Sequence, residues 1–176
     1  PVIDIEGRVV ALNAGANSQA ATSFFLPLER VGRVLSLIRG GRFVDRGTLQ
    51  TEFVHKPYAE LRRLGLTELT EATNREMFPA RTGLLVIEQV IPGSAASEVF
   101  QPGDTLVSIN HELVSEFVSL AAILDGNVGH EVLVEIERRG TRIRQEIVVD
   151  DLHLITPDEF IEYGDGVFHN LSYQQA

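Results

Sequence analysis

Residues 83–149 form a succession of short β-rich runs, each closed by a turn signal, with room for one amphipathic helix. That pattern constrains the fold most. Runs 84–90, 106–109, 132–136 and 143–149 are dominated by Val, Ile and Leu, which suit a pleated, half-buried surface. Pro92-Gly93-Ser94-Ala95-Ala96 turns the chain into a short helix. Gln101-Pro102-Gly103-Asp104 has Pro and Gly in the order of a type II turn. Asn110-His111 reverses one strand, and Arg139-Gly140 closes a hairpin. Phe117, Leu120, Ala121 and Leu124 fall at i, i+3, i+4 and i+7, one helical face. Ser115 is the expected N-cap, and Asp125-Gly126-Asn127 ends the helix. Val132, Val134 and Ile136 alternate with polar residues, as in a strand with one buried face. With a strand at 48–54, this is a small, partly open barrel carrying a helix on its side.

Upstream, Val2-Ile3-Asp4-Ile5 and Val9-Val10-Ala11-Leu12 flank a Glu6-Gly7 turn and predict a hairpin. Residues 15–20 are small and polar, so a loop is expected, and 22–26 is an apolar strand. Pro27 opens a helix whose face is Val31, Val34, Leu35 and Ile38, stopped by Gly40-Gly41. A turn at Asp45-Arg46-Gly47 leads into the strand at 48–54. The polar stretch 58–81 holds two expected helices, 57–64 and 67–77. Ile155-Thr156-Pro157-Asp158-Glu159 reads as a helix start, and the remainder has no sustained period. The fold class is therefore mainly β with some α.

The chain has 176 residues and is 44% apolar, enough for a buried core, and it contains no cysteine. Disulfides, thiolate metal sites and a cysteine nucleophile are thereby excluded. No apolar run approaches the roughly 18 residues that span a bilayer, and no membrane partner is expected. The net charge is −10, and residues 150–176 carry six acids without a Lys or Arg. Such a surface repels phosphate backbones, so nucleic acid is not an expected partner. Arg138, Arg139, Arg142 and Arg144 are the densest basic cluster, expected to be solvated around the hairpin turn. The chain opens at Pro1 without a methionine, as expected of a piece of something longer.

Catalytic chemistry finds little support. No serine sits in a G-x-S-x-G setting. Ser94 comes nearest and is better read as a turn serine before a helix. The five histidines stand apart, without H-x-x-x-H or H-E-x-x-H spacing, and no EF-hand loop is present. No metal, cofactor or catalytic residue is expected. The paired glycines match no phosphate loop and serve as stops and turns. Asp150-Asp151 reads as a solvated pair rather than an acid–base couple. What remains is binding. A helix beside a strand edge makes a groove in which an extended peptide adds as a further strand. Phe117, Leu120, Ala121 and Leu124 are spaced to line it, with part of the stripe packing inward.

The string Gly83-Leu-Leu-Val-Ile-Glu-Gln-Val-Ile-Pro-Gly-Ser-Ala-Ala, followed by Pro102-Gly-Asp-Thr-Leu-Val-Ser-Ile-Asn110, resembles the PDZ domains of HtrA-type serine proteases. The resemblance covers residues 43–149. Before it, Pro1-Val2-Ile3-Asp4, Ser23-Phe24-Phe25-Leu26-Pro27 and Arg46-Gly47-Thr48-Leu49 resemble the closing part of the same family's trypsin-like barrel. The tail, Asp151-Leu-His-Leu-Ile-Thr-Pro and the segment 168–176, resembles a long fungal nuclear branch of the family that is associated with apoptosis.

The resemblance implies three parts: residues 1–42 as the end of a protease domain, 43–150 as a PDZ domain with the insertion 58–81, and 151–176 as a linker into a following PDZ-like domain. The triad would lie upstream, leaving the chain inactive alone. It implies a carboxylate-binding loop at Thr48, Leu49, Gln50 and Thr51, a peptide-pairing strand continuing through Glu52 and Phe53, and a substrate-holding protease strand at Thr22 and Ser23. Gln50 and His111 stand where the family has glycine, and the insertion is longer than in bacterial relatives, with the reach to fold over the groove. Two functional classes stay open. One is a peptide-binding, regulatory module of an ATP-independent endopeptidase in protein quality control or apoptosis. The other is a structural spacer with an occluded groove. Implied partners are unfolded-protein segments, hydrophobic C-termini, further domains of the parent protease and a second copy. The implied compartment is nuclear or cytoplasmic.

Overall fold

The computed structural model describes residues 1–17 and 22–171. The chain divides into two compact units, Pro1–Val44 and Asp45–Ala176. The first holds β1 (Val2–Ile3), β2 (Val9–Asn17) and β3 (Thr22–Pro27), an antiparallel sheet in that order, then α1 (Leu28–Arg39). The first strand is shorter than expected because Asp4 turns the chain. Its Oδ1 accepts the backbone N–H groups of Glu6 and Arg8, each at 2.9 Å. The same bonds from Arg8 hold its carboxyl below the usual carboxylate range. The second strand is longer than expected. Gly15, Ala16 and Asn17 pair with Phe24, Ser23 and Thr22 beyond a bulge at Asn13 and Gly15, where a loop was expected. Positions 18–20 of that loop lie outside the described residues. Leu37 is buried, whereas Val9, Val10, Phe24, Phe25, Leu35 and Ile38 are exposed.

The second unit opens with β4 (Gly47–Thr48) and β5 (Thr51–Pro57). The expected single strand 48–54 is thus broken at Leu49-Gln50, where Gln50 takes φ 53°. Then come α2 (Tyr58–Leu64), α3 (Glu68–Met77), β6 (Gly83–Val90), a 3-10 turn Ala95–Glu98, β7 (Thr105–Ile109), β8 (Glu112–Leu113) and α4 (Phe117–Asp125). The hairpin β9 (Glu131–Arg138) and β10 (Thr141–Val148) follows, then β11 (Asp150–Asp151), a 3-10 turn Leu152–Ile155, β12 (Ile161–Tyr163) and β13 (Gly166–Phe168). The main sheet is antiparallel in the order β10-β9-β7-β6-β5, with β8 on β7. The chain is mainly β with four α-helices among the described residues, and its sheets are open.

Turn chemistry follows the sequence closely. Gly103 has φ 94° and the Asp104 N–H bonds the Gln101 carbonyl at 3.2 Å, as a type II turn requires. Asn110-His111 and Arg139-Gly140 all take positive φ, giving the two-residue hairpin turns that match strand twist. Ser94 caps its short turn, accepting the Ser97 N–H at 3.2 Å.

Two caps differ from expectation. Glu116, not Ser115, occupies the α4 cap position, and Ser115 is buried beneath. No helix starts at 155–159. Thr156 instead ends the 3-10 turn Leu152–Ile155 as its C-cap, and its hydroxyl donates back to the Leu152 carbonyl at 2.7 Å.

The sheet buries both faces. Leu84, Leu85, Val86 and Ile87 are consecutive and all at most 1% exposed, a run that reads as a strand covered on both sides. Leu85 and Ile87 join Leu106, Val132, Val134, Ile136, Leu120 and Leu124 in the larger core. Leu84 and Val86 join Tyr58, Leu61 and Leu66 in a smaller one. Hence α4 covers one face, and α2 with the segment after it covers the other.

The arginine cluster is not simply solvated. Arg138 grips buried Asp104 with two bonds of 2.7 Å and donates to the Val99 carbonyl. Arg142 and Arg144 both pair with buried Glu135 at 2.8 Å. Strand alternation leaves Arg142 and Arg144 exposed, as expected, and also sets them opposite the buried Glu137 and Glu135.

Candidate peptide groove

β5 is the edge of the main sheet and pairs only with β6 among the described residues. An edge strand presents unpaired N–H and C=O groups along its free side. Close contact at β4 positions the helix at one end of that edge. The Gly47 N–H donates to Asp125 Oδ1 at 3.0 Å, and a Cβ on Gly47 would overlap the Leu124 carbonyl. Only glycine permits that approach.

The helical stripe divides. Leu120 and Leu124 are 5% and 6% exposed and sit in the larger core with Leu49, while Phe53 packs against it partly buried. Phe117 is 48% exposed and Ala121 is half-buried one turn later, leaving an accessible apolar strip. Glu52 is exposed; Thr48 and Thr51 are buried.

The loop of Thr48, Leu49, Gln50 and Thr51 is closed by its own side chains. Thr48 Oγ1 accepts the Gln50 N–H at 2.9 Å, and Thr51 Oγ1 donates to the Leu49 carbonyl at 3.1 Å. Gln50 keeps the left-handed backbone that glycine would take there, and its Nε2 donates to Asp150 Oδ2 at 2.7 Å. β11 pairs with β4, setting Asp150 opposite Thr48 and Asp151 opposite Gly47. Asp150 was not among the residues expected here. It lies a hundred positions from Gln50, and no local spacing signals such a pairing.

The insertion 58–81 does not lie over this edge. Its apolar residues Tyr58, Leu61 and Leu66 pack against Leu84 and Val86, on the face opposite α4. The lid arrangement is therefore corrected: the alternation of β6 sends its even positions to the insertion and its odd positions to α4. Glu71 of α3 joins the two insertion helices, bonded by Arg62 at 2.6 and 2.7 Å and by Arg75 at 2.8 Å. The Arg62 guanidinium draws its pKa down to about 2. Arg75 also stacks 4.1 Å above the Tyr58 ring. The last residue of the insertion, Arg81, pairs with Glu116 at 2.5 Å, fastening the segment before β6 to the start of α4.

All five histidines are exposed. No three His, Asp or Glu side chains converge as a metal-holding group among the described residues, and no helix there is long and apolar enough to cross a membrane. Ser23 lies exposed on β3, and Thr22 pairs with Asn17 through the backbone. Both belong to the first unit.

Residues 86–138 match the model of the PDZ domain family. Over its whole length the chain is 44% identical to the pro-apoptotic serine protease NMA111 of Eremothecium gossypii, covering 18% of that protein. It is 47% identical, again over its whole length, to the protein of the same name from Phaeosphaeria nodorum, covering 17%. A solved HtrA-type protease, AlgW with a decapeptide, matches 82% of the chain and 42% of its own length at TM-score 0.55 and 19% identity. The chain carries a PDZ domain and is similar over its whole length to the two pro-apoptotic serine proteases. It spans less than a fifth of the length of these curated relatives. The edge strand β5 and helix α4 are separated in sequence by α2, α3, β6, β7 and β8. The matched region holds the helix but not the edge strand.

Proposed function

We propose that the second unit captures extended peptide segments by strand addition on β5 beside α4, as a regulatory and substrate-binding module of an ATP-independent HtrA-type serine endopeptidase. The free edge of β5 beside the exposed Phe117 and the half-buried Ala121 carries this reading. Backbone bonds would supply affinity, and the apolar strip the side-chain selection. Thr51, Glu52 and Phe53 would pair with the peptide, and Phe117 and Ala121 would meet its side chains. Leu49, Leu120 and Leu124 would act from the core by holding strand and helix apart.

In the same reading, residues 1–42 are the closing strands and helix of a protease domain, with Thr22 and Ser23 on the strand that holds substrate backbone. Residues 43–150 are the PDZ domain, and 151–176 lead into a further PDZ-like domain. Its partners are unfolded-protein segments, the remaining domains and a second copy, and its compartment is nuclear or cytoplasmic. The names of the relatives support a role in apoptosis.

Filling the strip tests the reading. Ala121→Trp should weaken binding of a labelled apolar peptide at least about tenfold, with thermal unfolding unchanged. Undiminished binding by a folded Ala121→Trp would contradict it.

A further inference from the structure

We propose that this groove reads internal extended segments that carry a Lys or Arg after their apolar residues, and that the loop 48–51 does not take a chain terminus. The proposal rests on the peptide-binding reading above and names its ligand class. A terminal carboxylate is held in such loops by backbone N–H groups converging on one point. Here the Gln50 N–H is already bonded to Thr48 Oγ1 at 2.9 Å. A carboxylate would have to displace that hydroxyl.

Charge points the same way. The Gln50 side chain draws the Asp150 carboxylate to the loop at 2.7 Å. The β4–β11 pair fixes Asp150 and Asp151 opposite Thr48 and Gly47. Asp150 is only half-exposed, so solvent screens it incompletely. The neighbouring cation, Arg46, lies 3.7 Å from Asp125, which offsets its charge. An arriving carboxylate would meet like charge in a partly desolvated place, which disfavours its ionised form. A continuing peptide brings a neutral amide there instead, and its next basic side chain can reach the two aspartates. The same loop that would recognise a terminus in a glycine version is thereby converted into a stop against one.

The test uses the complete 176-residue chain and one labelled apolar peptide in three forms: free acid, amide, and continued through its end by Lys-Ser-Gly. The continued form should bind more tightly than the amide, and the free acid about tenfold more weakly than the amide; equal binding of the continued and amidated forms would overturn the preference for a basic residue. Raising the salt should narrow the gap between acid and amide, because the penalty is electrostatic. Asp150→Asn should narrow it at low salt as well, provided its melting curve shows it folded. Tighter binding of the acid than of the amide would overturn this inference while leaving peptide capture standing. Failure of all three forms to bind would overturn peptide capture itself, and this inference with it.

Discussion

At the scale of single residues, Glu71 shows how one charge can join two helices. It is 6% exposed and takes bonds from Arg62 of α2 and from Arg75 of its own helix. Arg62 and Arg75 are themselves largely exposed and return to water when Glu71 is removed, so the loss is that of the charge-assisted bonds. Glu71→Ala should therefore lower unfolding free energy by about 2 kcal/mol in a denaturant titration. Glu71 also sets an acid limit. Its folded pKa, about 2, lies below the ordinary value of 4.5. Its stabilisation is therefore fully present above 4.5 and drains away as pH falls towards 2. Glu71→Gln should be less stable near neutrality and should lose less stability between those limits. An unchanged acid profile would show that Glu71 is not held as described. Asp104 is the comparable case on the other face of the domain. Its motif, Pro-Gly-Asp, was legible as a turn, but its grip on Arg138 across the sheet was not, because nothing in a turn motif names a residue on a distant strand.

At the scale of elements, the junction of β4 with α4 controls the groove. Gly47 lies against the Leu124–Asp125 peptide of α4, with no space for a Cβ. Overpacking of this kind typically costs 1–3 kcal/mol. Gly47→Ala should lower stability by about 2 kcal/mol and weaken peptide binding together, measured by denaturation and by titration. Loss of stability with peptide affinity intact would mean that the helix position does not shape the groove. The strands, both tight hairpin turns and α4 were readable from period and turn residues, since those signals are local. The break at Leu49-Gln50 was not, because Thr48 to Val54 reads as one β-prone run. It is set by one distant and one local partner: Asp150 draws the Gln50 side chain, and Thr48, two residues back, takes its N–H. The helix expected at 155–159 is absent because the chain there closes a 3-10 turn, Leu152–Ile155, whose C-cap is Thr156. The place of the insertion was likewise written in β6 rather than in the insertion itself. Four consecutive buried residues at Leu84, Leu85, Val86 and Ile87 required cover on both faces.

At the scale of the whole molecule, the two units differ in how completely they bury apolar surface. The second has cores on both faces of its sheet. In the first, Leu37 is the one buried apolar side chain among the described residues, and Ile3, Phe24, Phe25, Leu35, Ile38 and Phe43 are exposed. Exposed apolar surface of this extent drives association. The 176-residue chain should therefore elute above monomer size in light-scattering chromatography, and a chain starting at Asp45 should elute as a monomer. A monomeric full chain would show that these faces are covered by other means. The central claim is that peptide adds as a strand to the free edge of β5. Amide hydrogen exchange across residues 51–57, with and without saturating apolar peptide, reads that edge directly. Strand addition requires slower exchange in β5, with the α2–α3 helices unchanged. Saturable binding that leaves β5 exchange untouched would contradict it.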